Sequence, residues 1–593
     1  MRATTIEMIR IMTMPAALLL AGGLVIPLVP RPIRSVFFVC LPIAALAVLY
    51  GLEPGASIVL PFLQYQLVVA RVDRLSLAFA YVFTLVAFLG AVYSFHLKDT
   101  GQQVAALFYA GSALGVVFAG DWFTLYVFWE IMAISSVWLI WSARDKRSAR
   151  AGMRYLLMHL FGGMVLLAGI LWHVNDTGSL LFNQLEVSGA ARLILFGFAL
   201  NAAIPPLHAW LVDAYPEATI TGSVFLSAFT TKAAVYVLAR GFPGWELLVV
   251  AGTIMALYGV VFAFLENDIR RILAYHIVSQ VGYMVAGVGL GNATALNGST
   301  AHAFAHILYK GQLFMATGAV LFATGRRKLT DLGGLARDLP WVLTLYMVAA
   351  LSISGFPLLS GFVSKALVIH AAELEHREWV VLFLHAASVG TFLSVGLKLP
   401  YFTWFGADRS LPLTPIPPGM YIAMGLASAI NLAIGVGPDL FYRLMPSSVE
   451  YRPYTAAHLL ETIALLAFTG LAFWLWRGQI APKAALTLDF DWFYRKPAPW
   501  LWRQGVLRLN ELFAKAERAT LALTHSLVRL SRDPFALGRG PAHEDRGDGI
   551  VGENRQGYDP DRYRLPVGTL VLIVLLCFVL LLGWNLVRDV FGA

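Results

Sequence analysis

Residues 299–323 read STAHAFAHILYKGQLFMATGAVLFA, a nearly continuous apolar run that carries three ionisable side chains. At 1.5 Å per helical residue, a run of this length crosses the ~30 Å hydrocarbon core of a bilayer. About 16 runs of roughly this length recur along the chain, which is 58% hydrophobic and only 13% charged. Because only helices and closed barrels satisfy their backbone in lipid, and barrel strands are short and alternating, the pattern predicts an all-α polytopic membrane protein.

The apolar runs place the expected spans along most of the 593 residues. Between the last two spans, apolar residues recur at helical spacing from about 499 to 530, with basic residues between them. This pattern predicts an amphipathic helix in the membrane interface, either a simple anchor or a clamp on this or a neighbouring subunit. In chain order the predicted spans are 12–29, 34–51, 75–96, 104–120, 122–141, 154–173, 190–206, 219–240, 246–265, 269–290, 299–323, 340–362, 378–402, 417–437, 455–476 and 565–588.

Charge and cysteine content exclude several classes of function. The net charge of +9 lies at helix ends and in the C-terminal quarter rather than on a soluble basic face, so we expect no nucleic-acid partner. Cys40 and Cys577, the two cysteines of the chain, both lie within apolar runs, which leaves no ligand set for an iron–sulfur cluster. We therefore expect no cofactor and no redox centre in this chain.

Basic residues in two loops orient the bundle. One loop, 142–154, lies between the fifth and sixth spans, and the other, 325–337, lies between the eleventh and twelfth. Both loops fall on the same side, which the positive-inside rule makes cytoplasmic. The sequence therefore predicts a multi-pass protein of the cell inner (cytoplasmic) membrane, with its N-terminus outside and the amphipathic helix on the cytoplasmic side.

His302, His306 and Lys310 form one stripe on the span quoted above, at positions i, i+4 and i+8, about 6 Å apart per step. Histidine titrates near neutrality, and a lysine kept away from water can release its proton at accessible energy, so the stripe predicts a proton path. A metal site is one alternative, but no carboxylate or thiol lies on the stripe, so we expect no metal. Ordinary core histidines with satisfied hydrogen bonds are the other.

Further ionisable residues lie inside predicted spans. Glu130 and Lys232 are deep in apolar runs, and Lys398 is closer to an interface. A charge at mid-bilayer costs at least ~2.5–3.5 kcal/mol on insertion scales, so such residues usually face a polar interior and carry function. Helix breaks at the Pro-Pro pair 205–206 and at Pro357 precede the two lysines, which indicates a transporter with inverted repeats. Kinks that serve only packing are the alternative at each break.

Six motifs carry a resemblance to a known family. Over roughly 70–405 the chain resembles the antiporter-like family, which includes the Mrp-type cation/proton antiporter subunits and the proton-pumping membrane subunits of respiratory complex I and membrane-bound hydrogenases. The motifs are Phe128-Trp129-Glu130, Pro206-x-His208-x-Trp210-Leu211-x-Asp213-Ala214, Leu226-Ser227 to Lys232, Asp268-x-x-Arg271-x-Leu273-Ala274-Tyr275, His302-x-x-x-His306-x-x-x-Lys310 and Ser354-Gly355-x-Pro357-x-x-x-Gly361-Phe362-x-Ser364-Lys365.

Other stretches refine the resemblance. SVGLKLPYFTWFG, at 394–406, and AYHIVSQVGY, at 274–283, look most like the D-type subunit of Mrp antiporters. The stretch DFDWFYR, at 489–495, also looks Mrp-like, whereas the amphipathic helix and the extra last span resemble the longest complex I member. We therefore expect a membrane subunit of a multisubunit cation/proton antiporter that exchanges protons for Na⁺ or another cation. A proton-pumping subunit of a complex I-like NADH dehydrogenase or a membrane-bound hydrogenase is the second reading, so the enzyme class stays open, and a non-transporting scaffold is the third.

The resemblance implies a core of two inverted five-helix repeats with broken helices around a hydrated lysine–histidine axis. We expect other integral membrane subunits, lipid, protons and Na⁺ as partners. The implied relay has Glu130 as gate, Lys232 and Lys310 as central lysines, His302 and His306 as links between half-channels and Lys398 as terminal site, with Asn201, His208, His159 and Lys365 as secondary candidates. The implied segments are N-terminal transmembrane helices over 1–100, the antiporter-like core over 101–405, additional transmembrane helices over 406–480, the interfacial helix over 481–532, a flexible linker over 533–564 and a C-terminal transmembrane helix over 565–593.

Asn201 departs from the family pattern. The family places a lysine seven residues before the motif His208, as the partner of Glu130. Asparagine can hold water but cannot carry a proton at neutral pH. We therefore expect Glu130 to pair with Lys232 or with a neighbouring subunit, and the first half-channel to be altered or inactive.

Overall fold

The computed structural model describes residues 14–483 and 488–532, together with 571, 574, 575 and 578. Within these residues, twelve helices are long and apolar enough to cross a membrane, and three shorter apolar helices accompany them. The predicted linker over 533–564 lies outside the described residues, as does the predicted last span over 565–588 apart from those four positions. The described residues divide into two units, one that ends at Asp489 and one that begins at Phe490.

The N-terminal part contains a β-hairpin that the apolar pattern does not predict. Its strands pair antiparallel, and Phe62 opposite Tyr65 closes the turn. The strands are too short to be spans, and the backbone N–H of Gly120 donates to the carbonyl of Val68, which packs the hairpin on the bundle. The elements are α1 (Pro15–Val25) with a 3₁₀ turn (Ile26–Leu28), α2 (Arg31–Tyr50), β1 (Ser57–Phe62), β2 (Tyr65–Arg71) and α3 (Arg74–Tyr93).

The first repeat contains five helices, of which two are broken. Side-chain caps fix their starts: Asp121 accepts from the backbone N–H of Thr124 at 2.8 Å, and Asp145 forms a capping box with Ser148. The capping box begins α6 two turns before the predicted span at 154. The helices are α4 (Thr100–Phe118), α5 (Trp122–Trp141), α6 (Lys146–Thr177), α7 (Gly189–Asn201) with α8 (Ala209–Ala214), and α9 (Ile220–Leu226) with α10 (Thr230–Gly241).

The second repeat has the same order of elements. Its fourth helix is also broken, so the predicted span 340–362 is two helices, and the second of them extends to Leu374. Its fifth helix continues through two π-helical segments, Phe392–Lys398 and Tyr401–Phe405. The helices are α11 (Glu246–Leu265), α12 (Ile269–Leu290), α13 (Ala293–Thr324), α14 (Pro340–Ser354) with α15 (Ser360–Leu374), and α16 (Glu378–Thr391).

Ion pairs gather the basic loops at one end of the bundle, here called the basic face. Arg327 contacts Glu217 at 2.7 Å and Asp268 at 2.8 Å, and Arg144 contacts Asp99 at 3.1 Å. These contacts place the start of α4 and the end of α11 at the basic face, so the two repeats run in opposite directions. The far end of the bundle is called the opposite face.

Two of the three broken helices turn on residues in the left-handed region of backbone conformation. Ala203 has φ 58° between α7 and α8, and Leu358 has φ 71° between α14 and α15, after Gly355 at φ 81°. For a residue with a side chain this conformation costs roughly 1–2 kcal/mol. The two breaks are therefore locally strained positions of the backbone.

The helices after the second repeat continue beyond the five-helix pattern. From their directions, α17 begins at the basic face and α19 ends there. In the second unit, an amphipathic helix covers Arg508–Arg532, within the predicted range, and its position in the membrane interface stays a prediction. The elements are α17 (Pro418–Val436), α18 (Pro438–Tyr442), α19 (Ala456–Trp476), α20 (Asp491–Arg495), α21 (Pro497–Leu501), a π turn (Trp502–Leu507) and α22 (Arg508–Arg532).

Candidate functional site

The predicted stripe on α13 lies inside the bundle. His302, His306 and Lys310 are all 0% exposed. The rings of the two histidines are stacked, with centroids 6.3 Å apart, and Nδ1 of His302 is 3.2 Å from the hydroxyl of Ser364. The amine of Lys310 makes no hydrogen bond to another described residue. The three side chains therefore form one buried row that faces protein on all sides.

Lys365 extends this row onto α15. Its amine donates to the carbonyl of Ile353 at 2.8 Å and to the hydroxyl of Ser388 at 3.2 Å. It also lies 5.3 Å above the ring of Tyr283, which in turn is 5.5 Å from the ring of His302. The fold thus brings a secondary candidate into direct continuity with the stripe.

Lys232 joins the row from the first repeat. It is 0% exposed and lies just after the break between α9 and α10, where its amine donates to the carbonyl of Ser227 at 2.6 Å. That carbonyl follows the end of α9 and needs a partner outside the helix. His306 is within electrostatic range of both Lys232 and Lys310. Lys232 therefore connects the two repeats at the centre of the bundle.

Lys398 lies apart from the row, near the basic face. Its amine donates to two carbonyls at the end of α11, those of Phe264 and, at 3.2 Å, Glu266. The Glu266 carboxylate pairs with Arg271 at 3.0 Å. Lys398 thus caps the carbonyl end of a neighbouring helix, and its role as terminal relay site stays a prediction.

Glu130 is half-buried on α5 and faces α6. A Cβ atom at Gly163 would lie 2.1 Å from its Oε1, so only glycine at that position leaves room for the carboxylate. Tyr126, one turn earlier on α5, is its hydrogen-bonding neighbour. Within the described ranges, no ion pair joins Glu130 to Lys232, whose amine is bound to a carbonyl instead.

His159 and Asn201 lie together beside α8. Each is 2% exposed, and the amide neighbours the imidazole. The His159 ring packs between Tyr155 at 4.1 Å and Trp210 at 4.5 Å between centroids. The first repeat therefore contains a buried histidine next to an amide, where the family pattern would supply a lysine.

The imidazole of His208 contacts a carboxylate that the sequence analysis did not assign to the site. Its Nε2 is 3.0 Å from the carboxylate of Asp489, which also accepts hydrogen bonds from the hydroxyls of Tyr258 and, at 2.7 Å, Tyr275. Asp489 follows α19, outside the spanning helices. Burial alone would raise the pKa of this carboxyl, but hydrogen bonds from His208 and the two tyrosines outweigh it and lower the pKa to about 2. Asp489 is therefore a fixed anion at the basic face.

His276 is a second residue that sequence reasoning missed. It is 0% exposed on α12, and its Nε2 is 2.5 Å from the hydroxyl of Ser394. It lies within electrostatic range of Lys310 and Lys365. The stretch AYHIVSQVGY contained the signal, a histidine deep in an apolar run, but the resemblance assigned it no role.

The buried row is made of nitrogen bases, a chemistry that allows proton exchange. Among the described residues, no group of three histidine, cysteine, aspartate or glutamate side chains is placed to ligate a metal ion. Within the row, Lys232 and Lys310 both lie near His306. His306 lies near His302, and His302 lies near Lys365. Water can bridge gaps of this size between polar groups.

Two inverted five-helix repeats around a buried row of lysines and histidines define a class of membrane transport subunits. The NADH:quinone oxidoreductase/Mrp antiporter transmembrane family matches residues 119–394. The chain belongs to this family.

Three proteins illustrate the relationship. The N-type subunit of the NADH-quinone oxidoreductase of Desulforudis audaxviator is 33% identical, over 53% of this chain and 68% of that protein. The D-type subunit of the Na⁺/H⁺ antiporter of Alkalihalophilus pseudofirmus is 32% identical, over 50% of this chain and 64% of that protein. A chain of the Mrp complex from Dietzia sp. DQ12-45-1b shares the fold, with a TM-score of 0.64 and 24% identity, over 77% of this chain and 98% of that one. These relatives are subunits of multisubunit membrane complexes.

Proposed function

We propose that this chain is the proton-translocating membrane subunit of a multisubunit cation/proton antiporter, and that Na⁺ is the exchanged cation. Relatives named as antiporter subunits and the antiporter family itself support the general assignment. The choice of Na⁺ follows the name of the relative and is the finer part of the proposal.

The continuity of the buried row from Lys232 to Lys365 carries the proposal. A lone buried histidine is usually satisfied by its hydrogen bonds, but this row places five nitrogen bases in sequence across both repeats. Burying such groups together is costly in lipid, and intramembrane ionisable residues mark ion paths. Protons pass along the row, and charge changes in it couple to cation movement elsewhere in the assembly.

The remaining expectations form part of the same proposal. The basic face is cytoplasmic, the chain lies in the cell inner membrane with its N-terminus outside, and residues 101–405 form the translocating core. Partners are other integral membrane subunits and lipid.

A redox-driven complex is the second candidate, because a relative named as part of an NADH-quinone oxidoreductase is as similar as the antiporter relative. In that case the same row is driven by electron transfer in other subunits. Purification of the intact assembly separates the two: small multi-span partners support the antiporter, and cluster-bearing peripheral subunits support the redox complex.

Removal of the central lysines tests the relay directly. In vesicles that contain the intact assembly, Lys232→Ala and Lys310→Ala each abolish cation-dependent proton flux, measured with a pH-sensitive dye, while the protein stays inserted. Lys328→Ala, at an exposed lysine of the basic face, is the matched control and leaves the flux unchanged. Normal flux in both central variants would overturn the relay.

A further inference from the structure

A crevice between α15, α16 and α19 leads away from the buried row. Lys365 lines its inner part, with His385, His458 and Glu461, and its volume is about 40 Å³, room for about three water molecules. A second hollow, of 530 Å³, shares His385 and Glu461 and extends to Glu373. The same two side chains therefore stand between Lys365 and the open hollow.

The three ionisable groups lie at successive depths below the opposite face. Lys365 is nine residues before the end of α15, His385 is seven residues after the start of α16, and Glu461 is five residues after the start of α19. At 1.5 Å per helical residue these positions are about 13, 10 and 7 Å below the helix ends. They form a graded series from the bundle interior to the surface.

Contacts along the crevice connect Lys365, His385 and Glu461. Nε2 of His385 is 3.7 Å from Oε1 of Glu461, and the exposed fractions of the two side chains are 28% and 60%. The amine of Lys365 reaches Ser388, one turn after His385 on α16. His458 is held differently: Nδ1 is 2.8 Å from the carbonyl of Pro453, and its ring stacks on a phenylalanine of α15.

We propose that this crevice carries protons between Lys365 and the opposite face, with His385 and Glu461 as the exchanging pair. The inference rests on the proposed function and gives its second repeat an outlet. The Lys365 ammonium loses a proton through water to the His385 imidazole, the imidazolium passes it to the Glu461 carboxylate, and the carboxylic acid releases it to solvent. No electron moves, and Lys365 is left ready to take the next proton from the row.

The route uses a helix that lies beyond the residues matched by the family, since α19 begins at Ala456 and the match ends at residue 394. The charged and titratable groups that face His385 are Lys365 from α15, Glu461 and His458 from α19, and Glu373 from the end of α15. Each of the three helices around the crevice thus contributes an ionisable group.

Glu461→Gln in the full chain, within vesicles that contain the intact assembly, tests the outlet. A positioned proton-transfer group typically contributes ~10²–10⁴-fold. Because water reaches the 60% exposed Glu461 and replaces part of that contribution, we expect proton flux to fall about tenfold. Glu450→Gln, at an exposed glutamate on the same face, is the control and keeps normal flux. His385→Gln is the second variant and lowers flux in the same way.

Side-specific labelling gives an independent measurement. In a chain with Cys40→Ser and Cys577→Ser, Glu461→Cys is modified by a membrane-impermeant thiol reagent added at the opposite face, and not by reagent added at the basic face. Labelling only from the basic face would overturn the proposal. So would normal flux in Glu461→Gln alongside lost flux in Lys310→Ala, whereas normal flux in both would overturn the proposed function itself.

Discussion

The third helices of the two repeats, α6 and α13, differ in the side chains that they place inside the bundle. Both α6 and α13 have 32 residues and end at a left-handed glycine. Three positions, spaced i, i+4 and i+8, face the interior in both helices. They lie equally far from the first residue of each helix. They hold Tyr155, His159 and Gly163 in α6 and His302, His306 and Lys310 in α13.

α6 has a glycine at the position where α13 has a lysine. Gly163 occupies the position of Lys310, and the carboxylate of Glu130 from α5 fills the space where a side chain would begin. One repeat therefore places a base on its long helix, and the other accepts an acid from the neighbouring helix. The same scaffold therefore holds an acid in one repeat and a base in the other at equivalent places.

The paired histidines give the largest expected contrast. His306→Gln removes a base from the continuous row and is expected to lower proton flux about a hundredfold. His159→Gln lowers flux only slightly, because that ring contacts aromatic side chains and an amide rather than other bases. Flux in vesicles, normalised to the amount of inserted protein, measures both effects. Equal losses would contradict the proposal that His306 belongs to the proton path and His159 does not.

Gly163→Ala probes the space that Glu130 occupies. The added methyl group would lie 2.1 Å from the carboxylate oxygen and displace it, so we expect flux to fall several-fold. Gly162→Ala is the matched control, because its methyl group would meet only the flexible end of Leu200, at 3.3 Å. If the two variants behave alike, the position of Glu130 does not matter for transport.

Asn201→Lys is expected to change the pH profile of transport rather than its maximal rate. The substitution adds a titratable amine beside His159 and restores the residue type of the family pattern. Flux measured across a pH series is the readout, with Asn201→Gln as the uncharged control. An unchanged profile would indicate that the first repeat is silent.

Asp489→Asn is expected to have the smallest effect, on stability. The variant leaves His208, Tyr258 and Tyr275 facing a neutral amide, and the melting temperature falls by about 1–3 °C. Because the pKa of Asp489 is lowered to about 2, its contribution is constant at neutral pH. It is lost only as the pH falls from about 4, the pKa of an unfolded aspartate, toward 2.

Melting temperatures of the wild type and of Asp489→Asn, measured over a range of pH, test this predicted pH dependence. The difference between the two melting temperatures is constant from about pH 5 to 8 and becomes smaller only in stronger acid. Asp439→Asn, at an exposed aspartate, is the control and shows no such difference. A difference that changes steeply near neutrality would contradict a constant contribution from the Asp489 contacts.

The sequence predicts the helices well where an apolar run begins at a side-chain cap. The spans 122–141 and 269–290 coincide with α5 and α12, each preceded by a capping aspartate, Asp121 or Asp268. The hairpin was missed because strands of six and seven residues outside the membrane leave no apolar run of spanning length.

In the candidate site, too, some contacts could be predicted from the sequence and others could not. The stripe on α13 was predictable because its members share one helix, so that spacing alone aligns them. Asp489 lies 281 residues from His208 in sequence, and no local pattern could join them. The same holds for Glu130 against Gly163 and for His385 against Glu461, whose meetings depend on the packing of separate helices.

The strained backbone at Ala203 and Leu358 makes these two helix breaks sensitive to substitution. Their strain, roughly 1–2 kcal/mol each, corresponds to about a tenfold bias in an equilibrium constant. Glycine at either position relieves the strain in this conformation but not in one where the residue has ordinary helical backbone. Glycine at either position is therefore expected to shift any equilibrium between these two backbone conformations, without a change to the side chains of the buried row.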